Sequence, residues 1–233
     1  MQSMLEILNL TVVRGQGPGQ HSISLPALSL ASGDVWAVTG ESGCGKSTLL
    51  EAIGLLLKPE TIGHFELGRT DVAALIQQGD EPALARLRAE KLGFVLQQGG
   101  LLPFLSIRDN ITLPRRLLGL PAWSERLAHC CTTLRLESAL DKRPAALSIG
   151  ERQRAAFIRA IAHEPDLLLA DEPTAALDPH HAYTLLELFL ALVREMGMAA
   201  LIVSHDWPLV QGFGLPRITA CSMPGATTFE LVG

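Results

Sequence analysis

The chain has 233 residues, 48% of them apolar and 18% charged, with a formal net charge of -5. That length and balance describe a globular domain, or a core with inserted subdomains, and the acidic charge without a long basic block argues against a nucleic-acid partner. Nowhere do about 18 uncharged apolar residues follow one another, so no segment reads as a bilayer span; the richest run, Leu185 to Val193, is broken by Glu187 and follows helical spacing.

The opening residues MQSMLEILNL lack a basic region followed by an apolar core, so no signal peptide is expected. Residues 1–33, rich in Gly, Ser and Thr with short apolar alternations, predict an antiparallel sheet beside the core. Val35–Thr39 predicts a buried strand. It runs into Gly40, Glu41, Ser42, Gly43, Cys44, Gly45, Lys46, Ser47 and Thr48, which has the form G-x-x-x-x-G-K-[ST] of a phosphate-binding loop. Its glycines let backbone N–H groups turn inward as an anion nest, and Lys46 places a point charge for the β- and γ-phosphates. Ser47 supplies a hydroxyl for Mg²⁺. An apolar helix over Ser47–Leu57 would aim its positive end at the phosphates. A glycine-rich turn with an exposed lysine is the bland alternative, and the strand before and helix after weigh against it.

Asp80-Glu81-Pro82 predicts the start of a short helix reaching about Lys91, with proline near the first helical position. Gly93–Leu96 predicts a buried strand ending at Gln97. Several prolines, Trp123 and a helix around Ser124–Leu136 follow, and the stretch from about 100 to 155 reads as an inserted helical subdomain.

Ser148-Ile149-Gly150-Glu151 is a capping box that opens a helix over Glu151–His163. A capped helix start is also a phosphate-binding site, so structural and functional roles both stand. Leu167–Ala170 predicts a strand closed by Asp171-Glu172. In a P-loop protein an acid at this place holds Mg²⁺, and Glu172 can polarise the attacking water as a general base. Two solvated carboxylates would be the plain reading of the pair alone. Asp178 followed by Pro179 predicts a helix N-cap, and Ala200–Val203 a strand leading to His205.

Short apolar runs alternating with helical patterns predict a mainly parallel sheet covered by helices. Functional groups in such sheets gather at the strands' C-terminal ends, where Gly40, Gln97, Asp171, Glu172 and His205 all fall. The four cysteines, at 44, 130, 131 and 221, match no metal or redox spacing and predict reduced thiols in a cytosolic protein.

Gly40–Thr48, Gln97, Leu147–Arg154, Leu167–Glu172, Asp178 and His205 stand in the order that resembles ATP-binding-cassette (ABC) ATPases, across essentially the whole chain. Leu92–Pro114, ARLRAEKLGFVLQ and LLLADEPT look like the subfamily serving lipoprotein-release and macrolide-export systems. The resemblance implies an α/β fold: a P-loop NTPase (RecA-like) core with a mainly parallel sheet, an N-terminal antiparallel β subdomain and an inserted α-helical subdomain, in one domain over 1–233. It implies ATP and Mg²⁺ as ligands, with Ser47, Gln97 and Asp171 around the metal. Gln97 becomes the glutamine sensing Mg²⁺ and γ-phosphate, with Gln98 a competing candidate, and His205 the switch histidine near Glu172. In a head-to-tail dimer, Ser148, Gly150 and Glu151 would face the partner's nucleotide, and Asp178 would reach across.

Two positions depart from the family pattern. Ile149 stands where the signature usually has its first glycine, adding bulk and stiffness near the partner's phosphate; a functional but slower site is expected. Arg14 stands where an aromatic ring usually stacks on adenine, and it can either stack as a cation or be solvated.

The resemblance implies an ATP-hydrolysing subunit that drives a separately encoded membrane-spanning permease, pairing with a second ATPase subunit as a homodimer. Its expected place is the cytoplasmic face of the inner membrane, with the apolar, proline-punctuated stretch Gly100–Trp123 as docking region. A second reading is an ABC ATPase regulating a membrane complex in cell-wall remodelling or division without transport. DNA-repair or translation ATPases would need a second cassette, a coiled-coil insertion or basic arms. A P-loop small-molecule kinase would lack Ser148–Arg154 and His205 in this order.

Overall fold

A computed structural model describes residues 3–232. The fold begins with two long strands whose inward positions are all branched or aliphatic. β1 (Ser3–Arg14) and β2 (His21–Ala31) pair antiparallel from Ser3 opposite Ala31 to Arg14 opposite His21. Leu5, Ile7, Leu10 and Val12 face inward beside Ile23, Leu25, Leu28 and Leu30. β3 (Val35–Thr39) leads through the glycine-rich loop into α1 (Lys46–Ile53). β4 (His64–Leu67) adds antiparallel to β1, and β5 (Thr70–Asp71) to β4.

α2 (Val72–Gln78) and α3 (Glu81–Lys91) follow, capped by Asp71 and Asp80, and lead to β6 (Leu92–Val95). Then come α4 (Ile107–Leu117), α5 (Glu125–Thr133) and α6 (Ile149–Ile161), the last with a complete capping box at Ser148. β7 (Leu167–Asp171), α7 (Pro179–Met196), β8 (Ala199–Val203), α8 (Trp207–Gly212) and the hairpin β9 (Arg217–Met223)–β10 (Ala226–Val232) complete the described chain.

All ten described strands form one sheet, in the order β5-β4-β1-β2-β10-β9-β3-β8-β7-β6. One half, β9-β3-β8-β7-β6, is parallel throughout; the other is antiparallel around β1. The β9–β10 hairpin joins them, with β10 parallel to β2 and β9 parallel to β3. The central parallel strands are buried on both faces, so they read as continuous apolar runs. Leu168 and Ala170 of β7 face the core built with α4 to α7, while Leu167 and Leu169 face the core shared with α1 to α3 and the antiparallel strands.

The fold agrees with the expected P-loop NTPase core and its antiparallel N-terminal strands, with adjustments at element ends. α1 stops at Ile53 rather than Leu57: Gly54 follows, packed against Phe94, and Leu55 turns at φ 59° so that the Leu56 N–H closes the end on the Glu51 carbonyl at 2.8 Å. The helix expected over Glu151–His163 runs from Ile149 to Ile161: the cap starts it directly after Ser148, and Glu164 at φ 59° precedes Pro165. α5 ends at Thr133, short of Leu136, with Arg135 at φ 51°. The strand expected over Gly93–Leu96 spans Leu92–Val95, in register with Leu167–Ala170.

Candidate active site

The phosphate loop is shaped by close approach as much as by its own sequence. Gly40 has φ 154°, and a Cβ there would lie 2.6 Å from the Ala220 Cβ of β9 and 2.8 Å from Cys44 Sγ. Gly45 has φ 102°, and its Cβ would meet Ile23 Cδ1 of β2 at 2.6 Å. Only glycine fits at either place. Lys46, 6% exposed, curls back so that Nζ donates to the carbonyls of Gly40 at 2.9 Å and Glu41 at 2.7 Å. The ammonium thus spans the mouth of the loop, with Glu41, Ser42, Gly43 and Ser47 exposed around it and Thr48 half-buried behind.

β6, β7 and β8 lie side by side and bring a second group of residues together. Glu172 follows Asp171, the last residue of β7, and its carboxylate is held from both sides. Gln97 Nε2 donates to one oxygen at 3.0 Å, and His205 Nδ1 lies 3.0 Å from the other. The Glu172 side chain is 18% exposed and that of His205 60%. Glu172 takes φ 48°, with its N–H donating to the Val203 carbonyl of β8 at 3.0 Å. A side chain in this left-handed region is uncommon and recurs at functional sites. Gln97 and Gln98 are both exposed, and it is Gln97 that reaches the carboxylate.

Ser148, Gly150, Glu151 and Asp178 form a separate group. Ser148 N–H donates to Glu151 Oε2 at 2.8 Å, and Glu151 N–H to Ser148 Oγ at 3.2 Å. Hydrogen bonds from the Ser148 N–H and from its side chain hold the Glu151 carboxyl below the usual carboxylate range. Asp178 caps α7, accepting from His181 N–H at 3.2 Å and lying 2.6 Å from His181 Nδ1, which lowers its pKa likewise. A cleft of about 550 Å³ separates the first turns of α6 and α7, lined by Ser148, Ile149, Gly150, Arg154, Asp178 and His181. Ile149, 47% exposed, stands at its rim. Among the described residues, this group makes no hydrogen bond to the phosphate loop of its own chain.

Arg14, at the end of β1, ion-pairs with Glu51 of α1, and both side chains are about half exposed. Two residues that sequence reasoning passed over hold the loop after Gln97. Asn110 of α4 is fully buried and bonds the Leu102, Leu105 and Ser106 backbone. Arg159 of α6 donates to the Gly99 and Gly100 carbonyls. The paired glycines directly after Gln97-Gln98 were the signal in the sequence.

The family model described as "ABC transporter" matches residues 25–175. The chain is 43% identical to the lipoprotein-releasing system ATP-binding protein LolD 1 of Rhodospirillum rubrum, over 77% of this chain and 78% of that protein. It is 34% identical to the methionine import ATP-binding protein MetN 1 of Bacillus cereus, over 89% of this chain and 59% of that one. Among solved structures, the dimeric post-hydrolysis state of the ATP-binding cassette MJ0796, bound to ADP and Pi, superposes with a TM-score of 0.78. It is 31% identical, with 99% of each chain covered.

Proposed function

The chain belongs to the ABC transporter family as an ATP-binding and hydrolysing subunit, and from that premise we propose that it powers a lipoprotein-release type system. The higher identity to the lipoprotein-releasing proteins than to the methionine importer supports this choice. We further propose that the chain acts as one nucleotide-binding domain, with the helices in about 100–155 as its inserted helical subdomain. On this reading it sits at the cytoplasmic face of the inner membrane, against a membrane-spanning permease, and pairs with a second copy of itself. The loop and helix carrying Phe104 and Leu117, 68% and 77% exposed, offer an apolar contact for such a permease within Gly100–Trp123.

The observation that carries the mechanism is the Glu172 carboxylate fixed between Gln97 and His205. In the proposed reaction the nest of N–H groups in Gly40–Thr48, with Lys46, holds the triphosphate. Lys46 exchanges its two carbonyl contacts for phosphate oxygens, a stronger partner for an ammonium. Glu172 accepts a proton from the water attacking the γ-phosphate. His205, bonded to the same carboxylate, orients it and senses the phosphate. Arg14, held by Glu51, lies to one side for the base.

Mg²⁺ fits the donors present: the Ser47 hydroxyl, the Asp171 carboxylate and the Gln97 carboxamide are hard oxygen ligands. Gln97 spends its Nε2 on Glu172, which leaves its oxygen for the ion. When bound, the ion would neutralise charge building on the β- and γ-phosphates.

Because Ser148, Gly150 and Asp178 keep apart from their own phosphate loop, the reading gives them to the partner's nucleotide. Two helix N-termini, one from each chain, would then share the γ-phosphate charge. Hydrolysis cuts the γ-phosphate free of the nucleotide, and its departure takes that shared charge away and loosens the pair. The test is co-expression with a lipoprotein-release type membrane subunit. Co-purification together with ATP hydrolysis stimulated by that subunit is expected, and a chain that neither binds the subunit nor responds to it refutes the transport assignment.

A further inference from the structure

Alternation along β1 and β4 turns Leu5, Ile7, Phe65 and Leu67 into the core and leaves Glu6, Leu8, His64 and Glu66 on the outer face of the sheet. In the antiparallel register Glu6 stands directly opposite Glu66, and His64 opposite Leu8. Two carboxylates so opposed destabilise a strand pair unless a cation lies between them. No Lys or Arg does so. Among the described residues, the ion-pair partner of both glutamates is His64 alone, with Nε2 3.7 Å from Glu6 and 3.9 Å from Glu66. Those separations are too long for hydrogen bonds. Asp71 of β5 stands opposite Glu66 on its other side and adds a third negative charge to the row, while one of its oxygens caps α2.

One imidazole nitrogen and two carboxylate oxygens therefore converge, all within 4.8 Å of one another. Ligands around a tetrahedral Zn²⁺ stand about 3.3 Å apart at ordinary bond lengths. The three side chains are 39–48% exposed, so small rotations close the remaining distance. Two carboxylates balance the charge of a divalent ion, and neutral imidazole adds a donor that suits zinc-like ions. Mg²⁺ prefers an octahedron of oxygens and is a poor match for this set.

We propose that Glu6, His64 and Glu66 form a binding site for a divalent transition-metal ion of the zinc type, which clips β4 to β1. The pairing it reinforces is short, Leu5–Leu8 against His64–Leu67. Glu6 and His64 also line a hollow of about 300 Å³ with Leu8, Ala27, Ser29 and Leu231. Water in the hollow completes the ion's coordination, and the apolar wall on that side strengthens its attraction to the carboxylates. The site is separate from the nucleotide's: Arg14 lies at the far end of β1, about 26 Å from Glu6 at 3.3 Å per residue.

The test is equilibrium dialysis of the full chain against micromolar Zn²⁺ with millimolar Mg²⁺ present, in a Cys221→Ser background that removes the exposed thiol. One Zn²⁺ per chain is expected to depend on this cluster, with its affinity lowered at least about tenfold in each of Glu6→Gln, His64→Gln and Glu66→Gln. His129→Gln, which removes an exposed histidine paired with Glu195 elsewhere, is expected to leave uptake unchanged. Uptake that persists in the three variants, or that follows His129, overturns the site. Thermal melts separate a metal site from a plain ion pair. In chelator, Glu66→Gln relieves the opposed charges and is expected to melt about one to two degrees above the parent. With Zn²⁺ at a hundredfold excess over Kd the parent is expected to gain roughly five to ten degrees, and the variant to gain far less. A plain ion pair with His64 predicts a variant that melts lower with or without metal. That result, or an equal gain in parent and variant, overturns the proposal.

Discussion

His205 Nδ1 and Glu172 Oε1 meet at 3.0 Å, while Gln97 occupies the other oxygen of the same carboxylate. The carboxylate proposed as the base is therefore held by side chains from the ends of two strands flanking its own. Replacing it with glutamine keeps shape and hydrogen bonding but removes the proton acceptor. Glu172→Gln is expected to lower kcat by about 10²–10⁴-fold with ATP affinity retained. Size-exclusion chromatography with ATP is expected to show a dimer that persists; a protein that stays monomeric counts against the shared-nucleotide arrangement.

Ile149 is the first residue of α6, and its side chain stands at the rim of the cleft between α6 and α7. Nothing in the local backbone requires it, since the Ser148 cap is complete. Ile149→Gly removes branched bulk from the surface proposed to meet the partner's phosphate, and faster ATP turnover is expected. An unchanged rate would strip the residue of any special role.

His163 gives a pH dependence of known sign. Its Nε2–H donates to the Leu92 carbonyl at 3.1 Å, and Nδ1 is buried without a partner among the described residues. Burial, and secondarily Arg115, depress its pKa below the ordinary histidine value of 6.5. Below that pH the unfolded chain takes up a proton that the folded chain refuses, so stability falls as pH drops from about 6.5. Thermal melts are expected to show Tm declining over this window. The decline should be shallower in His163→Gln; an equal slope would assign it to other groups.

The thiols should react in a fixed order. Burial pushes Cys130 up to about 11 and Cys131 up to about 12, so neither forms appreciable thiolate near neutral pH. Cys44 is buried, and Cys221 is exposed on β9. A thiol-reactive dye at pH 8 is expected to modify one cysteine rapidly in the native protein. That fast phase should vanish in Cys221→Ser and be joined by the other cysteines in denaturant.

What could be read in advance depended on the range of the chemistry. The phosphate loop, the Ser148 cap, and the Asp80 and Asp178 helix starts are local, each specified within a few residues. The sheet's second half was not local. Ala226 of β10 pairs with Ser22 of β2, and the Pro224-Gly225 turn between weakly alternating strands gave no strong hairpin pattern. α4 was hidden by Pro114, a helix breaker by propensity. Packing overrides it: Ile107 and Ile111 are fully buried, and Arg115 bonds the carbonyls of Pro121 and Ala162. Arg159 was invisible for the same reason, because its partners lie about sixty positions away.

Ala220 of β9 forms part of the wall against which Gly40 is pressed. In order of synthesis Lys46 precedes Ala220 by 174 positions, a delay of roughly ten to thirty seconds on the ribosome. Through that interval the emerging chain carries the complete lysine-bearing motif but lacks one side of its seat. The seat of the loop is therefore complete only once the hairpin of residues 217–232 has been made and placed between β2 and β3.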